Sequence, residues 1–288
     1  MTQNVQTLIM MTLRRGRGMD ARELDHRIQS LYGEIDWRAA DGVVQVVAID
    51  AVTGAVLAIG PGSPASETDR FILGLARARA DFILTTGSVL RAEPELTHVF
   101  SEDQSTNHAL REWRERICER QGQPKLIVVS YSGDIPLDHP ALRAADAGMI
   151  WTSQAGHRRL GSSVGPLTVE EDLPGTSVDA RTGTAPIAQS LARLINVLRR
   201  RPEARTILIE AGPTLSGAFY HSPPANGLRL DELLLSRFAG DRRPEIQGPG
   251  FAPMETIEAL FPDACTRVAV REPSGLWHFE RHRAATRT

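Results

Sequence analysis

The run Ile207-Leu208-Ile209-Glu210-Ala211-Gly212-Pro213-Thr214-Leu215-Ser216-Gly217-Ala218 decides the fold. Its apolar residues predict a buried strand, and a carboxylate, a glycine and a proline follow at once. Proline has no amide hydrogen to lose at the first helical position, so Pro213 predicts a helix start directly after the strand. Gly212 lets backbone approach a ligand closely, and the N–H groups of a helix start can face an anion such as a phosphate. Glu210, at the strand end, can accept hydrogen bonds from a substrate. The same residues also fit an ordinary strand-to-helix junction in which Glu210 caps the helix and Gly217 permits close packing on a sheet. Residue types alone leave both readings open.

Working outward, Asp81 to Thr86 predicts a second strand, and Gly87-Ser88 turns it into a short helical piece holding Arg91 and Glu93 before Pro94. Lys125 to Ser130 and Gly148 to Thr152 are further strands, each ending in hydroxyl residues. Ala185 to Arg200 is an amphipathic helix leading into the Glu210 strand. Strand, helix, strand in this order predicts parallel pairing with right-handed crossovers. Val43 to Asp50 is apolar and β-branched, and a Thr53-Gly54 turn makes Ala55 to Ile59 its hairpin partner. Ser66 starts a helix running to about Ala80. The spacing of Ala21, Leu24, Ile28 and Leu31 predicts an N-terminal helix, and Leu110, Trp113 and Ile117 form one stripe on a charged helix from Thr106 to Arg120. His157 to Thr184 reads as loops and Asp231 to Ala239 as a strand. Cys265 to Arg271 and Leu276 to Arg281 flank Glu272-Pro273-Ser274-Gly275 as an antiparallel hairpin closing one sheet edge. The expected fold class is α/β, a mostly parallel central sheet flanked by helices with a C-terminal antiparallel β-hairpin.

The chain has 288 residues, 41% hydrophobic and 24% charged, with a formal net charge of −2. That balance is ordinary for a globular protein, and it gives no electrostatic reason to expect nucleic acid or an anionic membrane as partner. No run approaches the ~20 apolar residues of a membrane span. The two cysteines, Cys118 and Cys265, stand far apart in no ligand-like pair, and the eight histidines show no metal spacing, so no disulfide or metal site is expected and a reducing cytoplasm is. In Met1 to Arg17 an apolar patch around Leu8 to Leu13 precedes arginines, the wrong order for a secretory signal, so this segment reads as a tail or as sequence before a later start. No phosphate loop and no His-Glu-x-x-His is present.

The segments Ile83-Leu84-Thr85-Thr86-Gly87-Ser88-Val89-Leu90, Pro94-Glu95-Leu96-Thr97 and Glu210-Ala211-Gly212-Pro213-Thr214-Leu215 resemble the reductase domain of the bacterial riboflavin-biosynthesis deaminase/reductases, the RibD C-terminal family, whose fold is dihydrofolate-reductase-like. The order of elements is similar over about residues 43 to 282. The resemblance implies residues 1–40 as a tail and helical extension and residues 41–288 as the reductase domain, acting as a homodimer on a small molecule. It implies NADPH as hydride donor and reduction of a pyrimidine ribosylamine phosphate, as in 5-amino-6-(5-phosphoribosylamino)uracil reductase. It puts Gly212, Pro213, Thr214, Leu215, Ser216, Gly217 and Ala218 along the dinucleotide phosphates, with Ser88, Thr86, Ser130 and Ser153 as further cofactor contacts. Glu210, as catalytic residue, would face the substrate with Arg77, Leu96 and Ser63. The zinc deaminase partner is missing, because no His-x-Glu is followed by Pro-Cys-x-x-Cys.

Arg77 suits a phosphate by bidentate hydrogen bonding, yet Arg77 and Arg79 also fit a solvated helix face. His157, Arg158 and Arg159 fit either an adenosine 2′-phosphate contact or a solvated loop. Some positions depart from the family. Asp50-Ala51-Val52-Thr53-Gly54 replaces a Ser-Leu-Asp-Gly turn, Ala92 stands where the family has an aspartate, and Val99 where an arginine often follows the leucine. They leave open an alternative, a catalytically inactive dinucleotide-binding or structural homologue.

Overall fold

In the run Phe82-Ile83-Leu84-Thr85-Thr86 every residue is buried, as befits a parallel strand covered on both faces. The computed structural model describes residues 7–9, 19–37, 41–57, 63–173, 185–220, 228–240, 247–262 and 265–284. In chain order the elements are β1 (Thr7–Ile9), α1 (Ala21–Tyr32), β2 (Gly42–Asp50), β3 (Ala55–Leu57), α2 (Glu67–Arg79), β4 (Phe82–Thr86), α3 (Gly87–Ala92) and α4 (Gln104–Arg116). Next come β5 (Lys125–Ser130), α5 (Pro140–Arg143), β6 (Gly148–Ser153), α6 (Gln154–Leu160), β7 (Ser163–Val164), β8 (Leu167–Leu173) and α7 (Ala185–Arg199). The last are β9 (Thr206–Ile209), α8 (Pro213–Ser216) with a 3-10 turn (Gly217–Tyr220), β10 (Glu232–Phe238), β11 (Gln247–Gly250), α9 (Met254–Leu260), β12 (Thr266–Glu272) and β13 (Gly275–Arg283). The fold is the expected mixed α/β, dihydrofolate-reductase-like class.

Two compact units divide the chain, the first built from residues 1–78, 99–121 and 231–288, the second from residues 79–98 and 122–230. In the first, β2 runs parallel to β10, β10 is antiparallel to β13 and β13 to β12. The expected hairpin of β12 and β13 forms, but it does not end the sheet, because β1 lies parallel on β12 from Thr7 to Ile9. The reading of Met1 to Arg17 as a tail is corrected there: backbone pairing, rather than a side-chain pattern, recruits these three residues. Asp20 caps α1 by accepting from the Arg22 and Glu23 amides, and Leu24, Ile28 and Leu31 are buried where α1 packs on α4 and β12. Tyr32, Trp37 and Trp113 meet edge to face.

In the second unit β9, β4, β5, β6 and β8 pair in that order, all parallel, with β7 antiparallel at the end. Asp81 ties three strand starts together. Its carboxylate accepts from the Arg205 and Thr206 amides at 2.9 and 2.7 Å, its amide donates to the Thr206 carbonyl, and its carbonyl accepts from the Lys125 amide. The loop reading of His157 to Thr184 is corrected over its first half. Ser153 caps α6 and Gly161, at φ 78°, ends it, while β8 buries Leu167 and Val169 and exposes Thr168 and Glu170. One apolar face on a largely polar stretch hid that strand. Residues 174–184 lie outside the described part.

On β13 the Arg281 guanidinium makes two bonds of 3.0 and 3.2 Å to Glu232 of β10, both side chains buried, with the Trp37 ring beside it. Removing one partner of such a pair leaves the other as an uncompensated buried charge. Glu232→Ala is expected to cost about 3–5 kcal/mol in urea unfolding; a loss below about 1 kcal/mol, the range of exposed pairs, would contradict this role.

Candidate functional site

All parallel strands of the second unit point their carboxyl ends at one sheet edge, the side where open α/β sheets hold ligands. Register sets Thr86 beside Val129, Ser130 beside Thr152 and Leu84 beside Ile209. The Glu210 amide donates to the Leu84 carbonyl at 2.8 Å, carrying the pairing one step past the end of β9. Thus Thr86, Ser130, Ser153 and Glu210, chosen from separate stretches of sequence, end neighbouring strands along one edge.

Three of these ends lead straight into helices, and they are finished differently. Thr86 Oγ1 caps α3 by accepting from the Val89 amide at 3.2 Å, and lies 2.8 Å from the exposed Ser88 hydroxyl. Ser153 is 1% exposed. Its hydroxyl donates to the Tyr131 carbonyl at 2.7 Å and accepts from the Gly156 amide at 3.3 Å, so it shapes the turn rather than presenting a free hydroxyl. Ser130 is buried beside the Gly87 backbone. At α8 the cap is Gly212, and no side chain accepts from the first turn.

The glycines separate by the space around them. A Cβ on Gly156 would stand 1.9 Å from Thr152 Oγ1 and 2.9 Å from the Gly133 amide nitrogen, and Gly133 itself has φ 65°; here glycine is required by close backbone packing. Among the described residues, a Cβ on Gly212 or Gly217 would meet nothing within 4 Å. Close packing on the sheet therefore does not explain Gly217 within its unit. Of the rest of the run, Leu215, Ser216 and Ala218 are buried and pack inward, Thr214 is exposed and Pro213 half-buried. The Ser216 hydroxyl donates to the Gly212 carbonyl at 3.3 Å.

Glu210 has a neighbour that the sequence did not single out. His98 Nε2 lies 3.9 Å from Glu210 Oε2, with only 11% and 10% of the two side chains exposed. An imidazole and a carboxylate share a sheltered place at the strand ends, although 112 positions separate them in sequence. The available signal was local: His98 follows Pro94-Glu95-Leu96-Thr97, already picked out. Farther along the edge, Asp134 is held between Arg91 and Arg159, the latter at 2.9 Å. Arg158 pairs with Gln154 at 2.5 Å. His157, Arg158 and Arg159 lie on α6 rather than in the expected loop.

The RibD C-terminal domain family matches this chain over residues 47–256. The protein belongs to that family. Among solved structures it is similar to a pyrimidine reductase-like protein from Corynebacterium diphtheriae, with a TM-score of 0.58 at 21% identity over 91% of this chain and 99% of that one. It is also similar to two forms of Acinetobacter baumannii RibD, with TM-scores of 0.52 and 0.53 at 16% and 17% identity; 85% of this chain aligns, and it spans 58% of that protein. At these identities the likeness is one of fold. No curated protein matches the chain.

Within this RibD C-terminal chain the remaining candidates divide by unit. Leu96, in the second unit, packs against the cluster of Leu90 and Ile135. Arg77 and Ser63 belong to the first unit. Arg77 and Arg79 are 7% and 1% exposed, so neither sits on the solvated helix face offered as their alternative; Arg77 donates to the Val99 carbonyl at 3.0 Å. The departing turn after β2 closes on itself, since Asp50 Oδ1 accepts from the Val52 amide, the Thr53 amide and the Thr53 hydroxyl.

The packing predicts opposite outcomes at two glycines. Gly156→Ala is expected to lose about 1–3 kcal/mol through overpacking, whereas Gly217→Ala should keep or slightly raise stability, because its φ is helical and alanine favours a helix. Equal thermal melts for the two variants would contradict the assignment.

Proposed function

We propose that this RibD C-terminal protein is an NADPH-dependent reductase of the 5-amino-6-(5-phosphoribosylamino)uracil reductase type, acting on a pyrimidine ribosylamine or a related small acceptor. The observation that supports this reading is the space that the described residues leave at Gly212 and Gly217, on the junction that follows Glu210 at the strand-end edge, in a chain of the RibD C-terminal family. A pyrophosphate needs backbone that nothing obstructs and a helix start whose amides are not already capped by a side chain. The Gly212–Thr214 turn meets both needs, with the Gly212 and Thr214 amides as donors because Pro213 has none, and the Thr86 and Ser88 hydroxyls stand at the adjoining β4-to-α3 junction.

NADPH would supply the hydride, so the protein's own task is to fix the acceptor against it and to manage one proton. Reduction of a carbon–nitrogen double bond adds hydride to carbon and a proton to nitrogen. Glu210 would orient the acceptor, and His98 beside it could deliver that proton. The homodimer, the cytoplasmic setting and the division into an extension of residues 1–40 and a reductase domain of residues 41–288 belong to the same proposal. A second reading, a homologue that binds the dinucleotide without turnover, is favoured by the β2 turn, whose Asp50 carboxylate is occupied by its own loop.

Titration with NADPH, followed by its fluorescence, tests the site. Wild type should bind, and Gly212→Asp, which sets a carboxylate where phosphate would lie, should weaken binding at least tenfold with circular dichroism unchanged. Absence of NADPH binding by wild type would defeat both readings. Charge reversal at Arg158 and Arg159 should weaken NADPH more than NADH if α6 meets the 2′-phosphate; equal losses count against that contact. NADPH oxidation with any pyrimidine ribosylamine acceptor separates the enzyme from the inactive homologue.

A further inference from the structure

We propose that Cys265, Glu280 and His282 in the first unit form a binding site for a divalent transition metal of the zinc class. Its residues belong to the first unit and those of the strand-end edge to the second, and the proposal is independent of the reductase reading. Nothing in the sequence spacing suggested it, because pairing of β12 with β13 brings its members together. Thr266 faces Arg281 and Arg267 faces Glu280, so the same register carried one residue further sets Cys265 opposite His282. Glu280 and His282, two apart on β13, share a face.

The donor atoms converge on one point. His282 Nε2 lies 3.6 Å from Cys265 Sγ and 3.0 Å from Glu280 Oε2, and all three donors fall within 4.8 Å of one another. A tetrahedral zinc with ordinary bond lengths sets its sulfur and nitrogen ligands about 3.5 Å apart, and its nitrogen and oxygen ligands about 3.3 Å apart. The observed separations need only small adjustment. Sulfur, imidazole and carboxylate together match a borderline-soft ion better than magnesium or calcium.

The surroundings supply what such a site needs. Arg237 and Arg267 both engage Glu280 Oε1, at 3.1 and 2.8 Å, which leaves Oε2 turned toward His282. Outer contacts of this kind fix a ligating carboxylate in place. A pocket of about 230 Å³, lined by Met254, Glu258, Phe261 and Pro262 together with Cys265 and His282, gives an entry path and room for a fourth ligand. A nucleophilic Cys-His-Glu triad does not fit, because the same Nε2 faces both the sulfur and the carboxylate, whereas a triad uses opposite ring nitrogens.

Cobalt(II) titration of the tag-free, chelator-treated full chain tests the site without needing a variant. One equivalent of Co²⁺ should give the visible bands of a tetrahedral ion and a near-ultraviolet thiolate-to-cobalt band, and Zn²⁺ should bleach both. Cys265→Ser should lose the thiolate band, and His282→Ala should weaken Co²⁺ binding by about tenfold or more. A wild-type protein that shows no thiolate-to-cobalt band overturns the proposal, as does a band that persists undiminished in Cys265→Ser.

Discussion

The bond from the Glu210 amide to the Leu84 carbonyl holds two strand-to-helix junctions at the same level, and the candidate site depends on it. Parallel register with a shift of even one residue would move every side chain to the opposite face. Asp81 secures that register from the far end by binding the Arg205 and Thr206 amides, so the β4 and β9 pair is pinned at both ends by backbone contacts. With the pair fixed, the hydroxyls after β4 and the glycine after β9 lie along one edge.

Along that edge the glycines serve two purposes. Gly133 and Gly156 bring backbone against backbone, and any side chain there would collide. Gly212, at a helix start with no side-chain cap, and Gly217, at the end of that helix, have room for a Cβ among the described residues. The first is a requirement of folding, the second the space where the proposed dinucleotide would lie. The C-terminal hairpin shows a comparable division by face. Arg281 turns to Glu232 and the Trp37 ring, while Glu280 and His282 turn the other way, toward Arg237, Arg267 and Cys265.

Much of this fold was legible in the sequence because its signals are local. Asp20 before a helical apolar spacing, Ser66 before α2 and the buried runs of β2, β4 and β9 each specify an element without help from distant residues. What the sequence hid is non-local. β8 has one apolar face and polar residues on the other, and β1 is three residues defined by pairing with β12. The Ser153 hydroxyl could be placed at a strand end, but not known to be consumed by Tyr131 and Gly156. His98 beside Glu210, and Cys265 beside Glu280 and His282, become neighbours only when parallel and antiparallel pairings bring separate segments together.

The central claim is that the edge formed by Thr86, Ser88 and Glu210 to Gly217 holds the dinucleotide. Amide hydrogen exchange of the full chain, read by mass spectrometry with and without NADPH, measures this directly. The account predicts added protection in peptides covering residues 86–92 and 210–218, with the β12 and β13 hairpin unchanged. Protection confined to other segments while these two remain unaffected would contradict it.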